Sequence, residues 1–284
     1  MEQEVFRTDG LCAQLYRCNT AIVGSGAAGY NAADCLWRAG QHDILLLTEN
    51  RLCGTSRNTG SDKQTYYKLT LSGGDGDSVR EMAQTLFDGQ CVDGDTALCE
   101  AALSAPCFLR LAELGVEFPR SRYGEYVGYK TDHDPRRRAT SAGPYTSKRM
   151  TQMLEAAVCA EGVPMLDGMQ VIRILTDGER VRVVCAVVKN RMMTTKSNSM
   201  MAFTSVEDLT HCRNVIWATG GPAGIYADSV YPAGHHGSTG IALEAGAIGQ
   251  NLTEWQYGLA SLHPRWNVSG TYMQVLPRMI STTP

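Results

Sequence analysis

The stretch Thr20-Ala-Ile-Val-Gly24-Ser-Gly26-Ala-Ala-Gly29 decides the fold. Residues 20–23 are a short apolar run ending at a glycine, as a buried strand does. Residues 27–39 follow with Ala, Cys, Leu and Trp at helical spacing, and Gly40 supplies the stop. Ile44-Leu-Leu-Leu47 is the next buried strand. Strand, glycine turn, helix and strand make a βαβ unit over 19–50, expected to be parallel and right-handed. The three glycines do different work: Gly24 permits a tight turn, Gly26 lets a pyrophosphate approach the backbone, and Gly29 lets helix and strand pack closely. The anion would sit on the helix N-terminus, where unpaired amides and the dipole favour negative charge. Glu49 ends the second strand about 20 residues on, where an acid can hydrogen-bond ribose hydroxyls. The first candidate nucleotide contacts are therefore Gly24, Ser25, Gly26, Ala27, Ala28, Gly29, Thr48, Glu49 and Asn50. The competing reading of the same residues is a tight turn without a ligand.

A second signal lies about 190 residues further on in Asn214-Val-Ile-Trp-Ala-Thr-Gly-Gly221. An apolar strand there ends in Ala218, Thr219, Gly220 and Gly221, small residues that let a ligand lie against the backbone. Between the two signals, Arg51 to Gly76 is polar, glycine-rich loop. Ser78-Val-Arg-Glu81 is a capping box opening a helix to Asp88: the Ser78 hydroxyl accepts the Glu81 amide and the Glu81 side chain returns the favour. Asp95 is placed to cap a helix over 96–104, and 106–114 is expected to be another, stopped by Gly115. Residues 119–146 are polar, and 147–160 form a helix. Strands are expected over 169–175, where Val171 joins the candidate contacts, and over 181–188 and 214–218. The polar stretch 190–212 is an excursion from a sheet. The predicted class is α/β: a Rossmann-like, mostly parallel sheet flanked by helices, with a smaller β-rich excursion around 170–212.

Composition narrows the function. The chain has 284 residues, 43% hydrophobic and 19% charged, as soluble globular domains do. A net charge of -3 gives no field for nucleic acid or anionic membrane. No apolar run approaches the ~20 residues of a membrane span. The start, Met1 to Asp9, is polar and mixed in charge, unlike a secretory signal. None of the 10 cysteines forms a Cys-x-x-Cys pair, so no metal or iron–sulfur site is expected. Cys35 and Cys185 lie in apolar stretches, where a thiol acts as a small hydrophobe. Reduced thiols in a cytoplasmic protein are the expectation.

In their order and spacing these motifs resemble the flavoproteins of the fumarate reductase/succinate dehydrogenase family, which includes aspartate oxidase. The likeness runs over about residues 19–265. The family's flavin-contacting loop, rich in Ser, Thr, Asn and Gly, is similar to Gly54-Thr-Ser-Arg-Asn-Thr-Gly-Ser61. Its Thr-Gly segment before a helix resembles Ser141-Ala-Gly143. Its Ala-Thr-Gly-Gly strand end, Tyr, Thr-Gly turn and Ala-Gly-Ala helix end match 218–221, Tyr226, Ser238-Thr-Gly240 and Ala245-Gly-Ala247. Glu254-Trp255 answers its acidic–aromatic step. The resemblance implies FAD bound extended, with Thr55, Ser56, Asn58, Thr59, Gly60, Ser61, Thr239 and Gly240 added to the contacts. It implies an oxidoreductase in which hydride passes between flavin N5 and a small substrate, carboxylate-bearing or enone-like.

Departures from the pattern carry information. Respiratory members hold the flavin covalently through a histidine in the flavin loop; this loop has Arg57, Asn58 and Thr59 instead, so FAD is expected to be non-covalent. The family's Gln-Phe-His-Pro-Thr stretch is replaced by a shifted His263-Pro264 pair. Family members also continue far beyond residue 284. The whole chain is therefore read as one FAD-binding domain, with the second part of the flavin fold at 141–260 and the capping domain absent or incomplete. A flavin-binding piece that needs a partner chain, an electron-transfer partner or a missing C-terminal part is the alternative to a self-sufficient enzyme.

The catalytic candidates are His263, from the His-Pro pair, His236 beside His235 before the Thr-Gly turn, and Arg137. Arg136-Arg137-Arg138 suits a carboxylate substrate by guanidinium geometry, or is a solvated basic turn. His133 is a possible acid–base partner or a surface residue. Asp75-Gly-Asp77 lacks the other ligands of a calcium loop and fits a turn. Lys63-Gln-Thr-Tyr-Tyr-Lys68 is placed either to touch a ring or substrate or to pack.

Overall fold

The computed structural model describes residues 2–8, 11–61, 64–74, 76–131, 134–178, 180–188, 208–222, 227, 235, 237–252, 260–261, 263, 266–267, 278 and 280. Among the predicted features, Lys63, Asp75, His133, Tyr226, His236, Glu254, Trp255 and Pro264 lie outside these residues. The chain divides into two compact units.

The first unit comprises Met1–Asn58, Arg149–Ile225 and Ala233–Gly249. The N-terminal hairpin is β1 (Glu2–Thr8) and β2 (Leu11–Arg17), antiparallel. The predicted βαβ unit follows as β3 (Thr20–Val23), α1 (Ala27–Arg38) and β4 (Ile44–Thr48). β3 and β4 are parallel with Thr20 opposite Ile44, and every residue of both is buried. That burial explains their continuous apolar runs, since a sheet covered on both faces needs no polar alternation. The short helix α2 is Thr55–Asn58.

The second unit comprises Thr59–Lys148, Tyr226–Pro232 and Gln250–Pro284. It holds β5 (Tyr66–Tyr67), α3 (Val79–Asp88), α4 (Gly94–Glu113) and β6 (Ala139–Thr140), with β5 and β6 antiparallel. α5 (Thr146–Ala160) begins in this unit and, from Arg149 on, belongs to the first.

The first unit continues with β7 (Met165–Asp167), β8 (Met169–Thr176), β9 (Val181–Val188), β10 (Asp208–His211), β11 (Asn214–Trp217) and α6 (Thr239–Glu244). Two sheets result: an all-parallel one in the order β11-β3-β4-β7, and a mixed one in the order β1-β2-β10-β9-β8. A core of Tyr16, Ala21, Val23, Leu45, Leu47, Met169, Val171, Val184 and Ala186 joins them. The last strands, β12 (Ala260–Ser261) and β13 (Trp266–Asn267), pair in the second unit.

The α/β class, the parallel sheet and the β-rich excursion match the expectation. Several local expectations do not, among them the loop expected from Arg51 to Gly76, which holds α2 and β5. The polar N-terminus forms an unforeseen hairpin whose β2 pairs parallel with β10, a tertiary partner that local sequence does not announce. Residues 96–104 and 106–114 are one helix, α4, capped by Asp93 rather than Asp95, with Asp93 accepting the Thr96 amide at 2.9 Å. Pro106 does not split it, because Ala102, the residue whose carbonyl Pro106 leaves unbonded, is exposed to solvent. The capping box is half made: Ser78 Oγ accepts the Glu81 amide at 3.1 Å, but the Ser78 amide donates to Asp77 Oδ1 at 2.8 Å. Glu81 turns instead to Arg136, whose Nε donates at 2.8 Å, since a guanidinium is the stronger donor. Cysteines divide too: Cys185 is buried as expected, whereas Cys35 is exposed on the outer side of α1.

The second unit is organised around Arg138, which is wholly buried. Its guanidinium donates to Asp77 Oδ1 at 2.7 Å and Oδ2 at 3.0 Å, to Thr85 Oγ1 at 2.9 Å, and to Asp134 Oδ1 at 3.3 Å. Asp77 also accepts the Thr70 and Ser78 amides, so its carboxylate is committed to this ion pair and to backbone. Beside it Tyr66, Phe108, Phe118 and Tyr126 form an aromatic cluster. Lys68 is wholly buried, with its Nζ 4.8 Å from the Phe108 ring centre, and burial pulls its amine below the usual range. The described part of the 63–68 segment therefore packs.

Burial pushes the Asp77 carboxyl up, but the Arg138 and amide hydrogen bonds outweigh it and hold it below the usual range. A carboxyl depressed on folding stabilises the fold above its unfolded pKa, and that stabilisation is lost as pH falls through the folded value. Urea unfolding should therefore show stability falling below about pH 4. Arg138→Met should remove about 3–5 kcal/mol at neutral pH by stranding buried carboxylates, and equal stability of the two proteins would contradict this.

Candidate functional site

The first unit contains a cavity of about 940 Å³ at the C-terminal ends of β3, β4 and β11. Ligands of open α/β sheets occupy this position, because helix N-termini and strand-end loops converge there.

The glycine turn forms its floor. Gly24 has φ +110° and its amide donates to Leu47 O at 2.9 Å; a Cβ here would stand 2.3 Å from Ala218 O. A Cβ on Gly29 would stand 1.9 Å from Gly24 O, so helix and turn meet backbone to backbone. Gly26 caps α1 without any side-chain cap, and no acid occupies the first turn. Ala27 N reaches Ser56 Oγ only at a long 3.4 Å. The α1 N-terminus is thus left open toward an anion. Gly24, Ser25, Gly26, Ala27 and Ala28 line the cavity, while Gly29 packs behind it.

Thr48, Glu49 and Asn50 line the second wall. Buried Ser25 and Thr48 share a hydroxyl–hydroxyl bond of 2.7 Å that ties the glycine turn to the end of β4. Of the flavin-loop candidates, Thr55 and Ser56 line the cavity. Asn58 sits behind them, its Nδ2 donating to Leu52 O at 2.8 Å and Gly54 O at 3.0 Å. Thr59, Gly60 and Ser61 belong to the second unit, where Ser61 N donates to Pro144 O. Val171 lines the cavity from β8, with Ala218, Thr219 and Gly220 following β11 and Gly240 in α6. Gly221 and Thr239 flank the lining residues in sequence. Arg137 is exposed, while its neighbour Arg138 is buried in the second unit; His263 is exposed and belongs to that unit also.

Sequence reasoning missed several lining residues. Trp217 is the most informative of them, while His235, already a candidate as one of the histidine pair before the Thr-Gly turn, also lines the cavity. His235 Nδ1 hydrogen-bonds Thr55 Oγ1, and its ring lies against Gly220 and Gly221, whose Cβ positions would be 3.5 Å away. Of the His235-His236 pair the sequence offered no way to choose. Cys53, Met169, Gln170 and Glu244 also line the cavity; as ordinary loop, strand and helix-end residues they carry no motif.

The residues suit a dinucleotide. Trp217 Nε1 and Thr219 Oγ1 are buried with no hydrogen-bond partner, a costly arrangement unless a ligand supplies one. Among the described residues no Lys or Arg lines the cavity, so a pyrophosphate would rest on backbone amides and the α1 dipole. Together the parallel sheet, the glycine cradle and Glu49 place the chain among dinucleotide-binding α/β proteins.

Comparison narrows that class. The FAD binding domain family model matches residues 19–279, and the chain belongs to this family, whose cofactor is FAD. The L-aspartate oxidase of Agrobacterium fabrum (strain C58 / ATCC 33970) is 28% identical over 81% of this chain and 41% of its own length. That of Streptomyces coelicolor (strain ATCC BAA-471 / A3(2) / M145) is 26% identical over 84% of this chain and 39% of its own. The chain thus spans about two fifths of the curated relatives it matches. Among solved structures, FrdA of E. coli quinol fumarate reductase aligns with TM-score 0.63 at 20% identity, over 81% of this chain and 37% of that one. The Mycobacterium smegmatis Sdh1 complex aligns with TM-score 0.65 at 15% identity, over 82% and 39%. At such identities these structures show a shared fold, and the resemblance drawn from the motifs is borne out.

Gly29→Ala should cost about 3 kcal/mol in chemical denaturation, because the added methyl meets backbone that cannot yield. Gly74→Ala, with open space around it, should stay within about 0.5 kcal/mol. Equal effects would show that α1 does not pack on the turn this closely.

Proposed function

We propose that this chain is the FAD-binding part of an oxidoreductase that moves a hydride between flavin N5 and a small carboxylate-bearing or enone-like substrate. The observation that carries this reading is the cavity at the α1 N-terminus: a cradle open to anions beside two orphaned buried donors, in a chain of the FAD binding domain family. FAD, when bound, supplies two-electron hydride chemistry at its N5 atom.

The chain's own residues bind and orient. The amides of Ala27 and Ala28 would hold the pyrophosphate, Gly26 leaves the helix N-terminus clear of a side chain, and Gly24 lets the turn close against Ala218. The Glu49 carboxylate accepts from ribose hydroxyls. Trp217 and Thr219, whose indole N–H and hydroxyl are buried without a partner, line the cavity and would lie against the cofactor. Thr55, held by His235, and Ser56 contact the cofactor from the flavin loop. Residues 54–61 contain no histidine, which supports a non-covalent cofactor. The nine cysteines with described side chains are free thiols, which supports a reducing compartment such as the cytoplasm. Among the described residues no helix is long and apolar enough to cross a membrane.

Catalytic roles for His236, His263 and Arg137 belong to the same proposal, as does an electron-transfer or subunit partner for turnover. The similarity to a chain of quinol fumarate reductase and to the Sdh1 complex supports such a partner. Cofactor binding is assigned to this chain without requiring that it turn over substrate alone.

The visible spectrum tests this directly. The purified protein, supplied with FAD, should show flavin bands that move to the supernatant after acid precipitation. Bands that stay in the pellet would mean a covalent link, and a protein that takes up no FAD would refute the assignment. Glu49→Ala should weaken FAD binding about tenfold in a fluorescence titration, the effect of losing a charge-assisted hydrogen bond.

A further inference from the structure

Residues 51–58 carry Cys53, Gly54, Thr55 and Ser56 to the cavity, and the two ends of this loop are held from behind by a single side chain. Arg51 Nη2 donates to Glu155 Oε1 at 3.1 Å, and Arg57 Nη2 donates to Glu155 Oε2. The Tyr30 hydroxyl of α1 donates to Glu155 Oε1 at 3.2 Å. Glu155 lies on α5, outside the cavity lining. Its side chain is 17% exposed, that of Arg57 11%, and Tyr30 is fully buried.

One carboxylate therefore pairs with two guanidiniums, one from each end of the loop, and through Tyr30 links both to the helix whose N-terminus bears the glycine cradle. Burial pushes the Glu155 carboxyl up, but the bonds from Arg57, Arg51 and Tyr30 outweigh it and keep the group ionised. Without that carboxylate the two guanidiniums would repel each other across the loop. Ser56 Oγ receives the long bond from Ala27 N, and Thr55 meets His235. At the back, the Arg51 amide adds a 3.1 Å bond to Asp167 Oδ1.

We propose that Glu155 is a positioning residue for the cofactor: it sets loop 51–58 against the α1 N-terminus so that Thr55 and Ser56 meet the bound nucleotide. This rests on the reading of the cavity as the FAD site. Glu155 touches no cofactor itself and acts through Arg51, Arg57 and Tyr30.

The test compares Glu155→Gln and Glu155→Asp with the parent protein, by amide hydrogen exchange without cofactor and by FAD titration. Glu155→Gln should speed exchange across 51–58 while leaving β3 and β4 protected, and should raise the Kd for FAD about tenfold. Glu155→Asp should restore most of both. A folded Glu155→Gln protein with parental exchange in 51–58 and a Kd within about twofold overturns the proposal, whatever happens to its melting temperature. Should Glu155→Gln fail to fold, Arg57→Gln decides, because it leaves Glu155 paired with Arg51 and Tyr30. Faster exchange and weaker FAD binding support the proposal, and unchanged values overturn it. Failure of the parent protein to bind FAD would sink the cavity reading instead, and cofactor-free exchange separates that failure from this one.

Discussion

The backbone contact between α1 and the glycine turn is the constraint on which the site depends. Gly29 stands so close to Gly24 O, and Gly24 so close to Ala218 O, that no Cβ fits at either position. These contacts bring β3, β11 and the first turn of α1 to one point. The amides of that turn consequently open at the strand ends rather than over the sheet. A binding site for an anion follows from packing before any polar side chain is considered. The apolar strands beneath supply the rigidity, since β3 and β4 are buried along their whole length.

Each unit adds a buried charged node that organises loops of little intrinsic order. In the first, Glu155 collects Arg51, Arg57 and Tyr30 and thereby joins a polar loop to two helices. In the second, Arg138 collects Asp77, Asp134 and Thr85 and ties the residues before α3, and α3 itself, to the segment that leads into β6. Such nodes contribute less net stability than their distances suggest, because both partners were well solvated in the unfolded chain. Their effect is on specificity: a guanidinium with several fixed acceptors admits one loop geometry and penalises the rest. Loops that must hold a ligand benefit from that selectivity more than from added stability.

Legibility in the sequence followed the range of the interactions involved. The βαβ unit was readable to within a residue or two because glycine turn, apolar runs and helix stop are all local signals. Gly24, Gly26, Thr48 and Glu49 were therefore recognisable as candidates, and so was Ala218 at the end of a second apolar strand. Trp217 was read only as strand, and that it lines the cavity with its indole N–H buried and without a partner is a property of the folded wall. The choice between adjacent residues was likewise invisible. Arg137 and Arg138 have the same composition around them, yet one is exposed and the other wholly buried, because only Arg138 meets the carboxylates of Asp77 and Asp134 in the folded unit. The hairpin of β1 and β2 escaped notice because its stabilising neighbour, β10, lies about 190 residues away in sequence.

The amino-acid sequence by itself determined the class of fold, the place of the dinucleotide turn and the residue types that can approach a nucleotide. Those features rest on hydrophobic periodicity and on the unique backbone freedom of glycine, which act over a few residues. Tertiary structure alone decided which side chains share the cavity, that His235 meets Thr55, and that Glu155 stands behind the loop it holds. Those outcomes depend on contacts between segments about 100 to 180 residues apart in sequence. Long-range contacts are set by how helices and strands pack, and no local pattern encodes the partner that packing will bring.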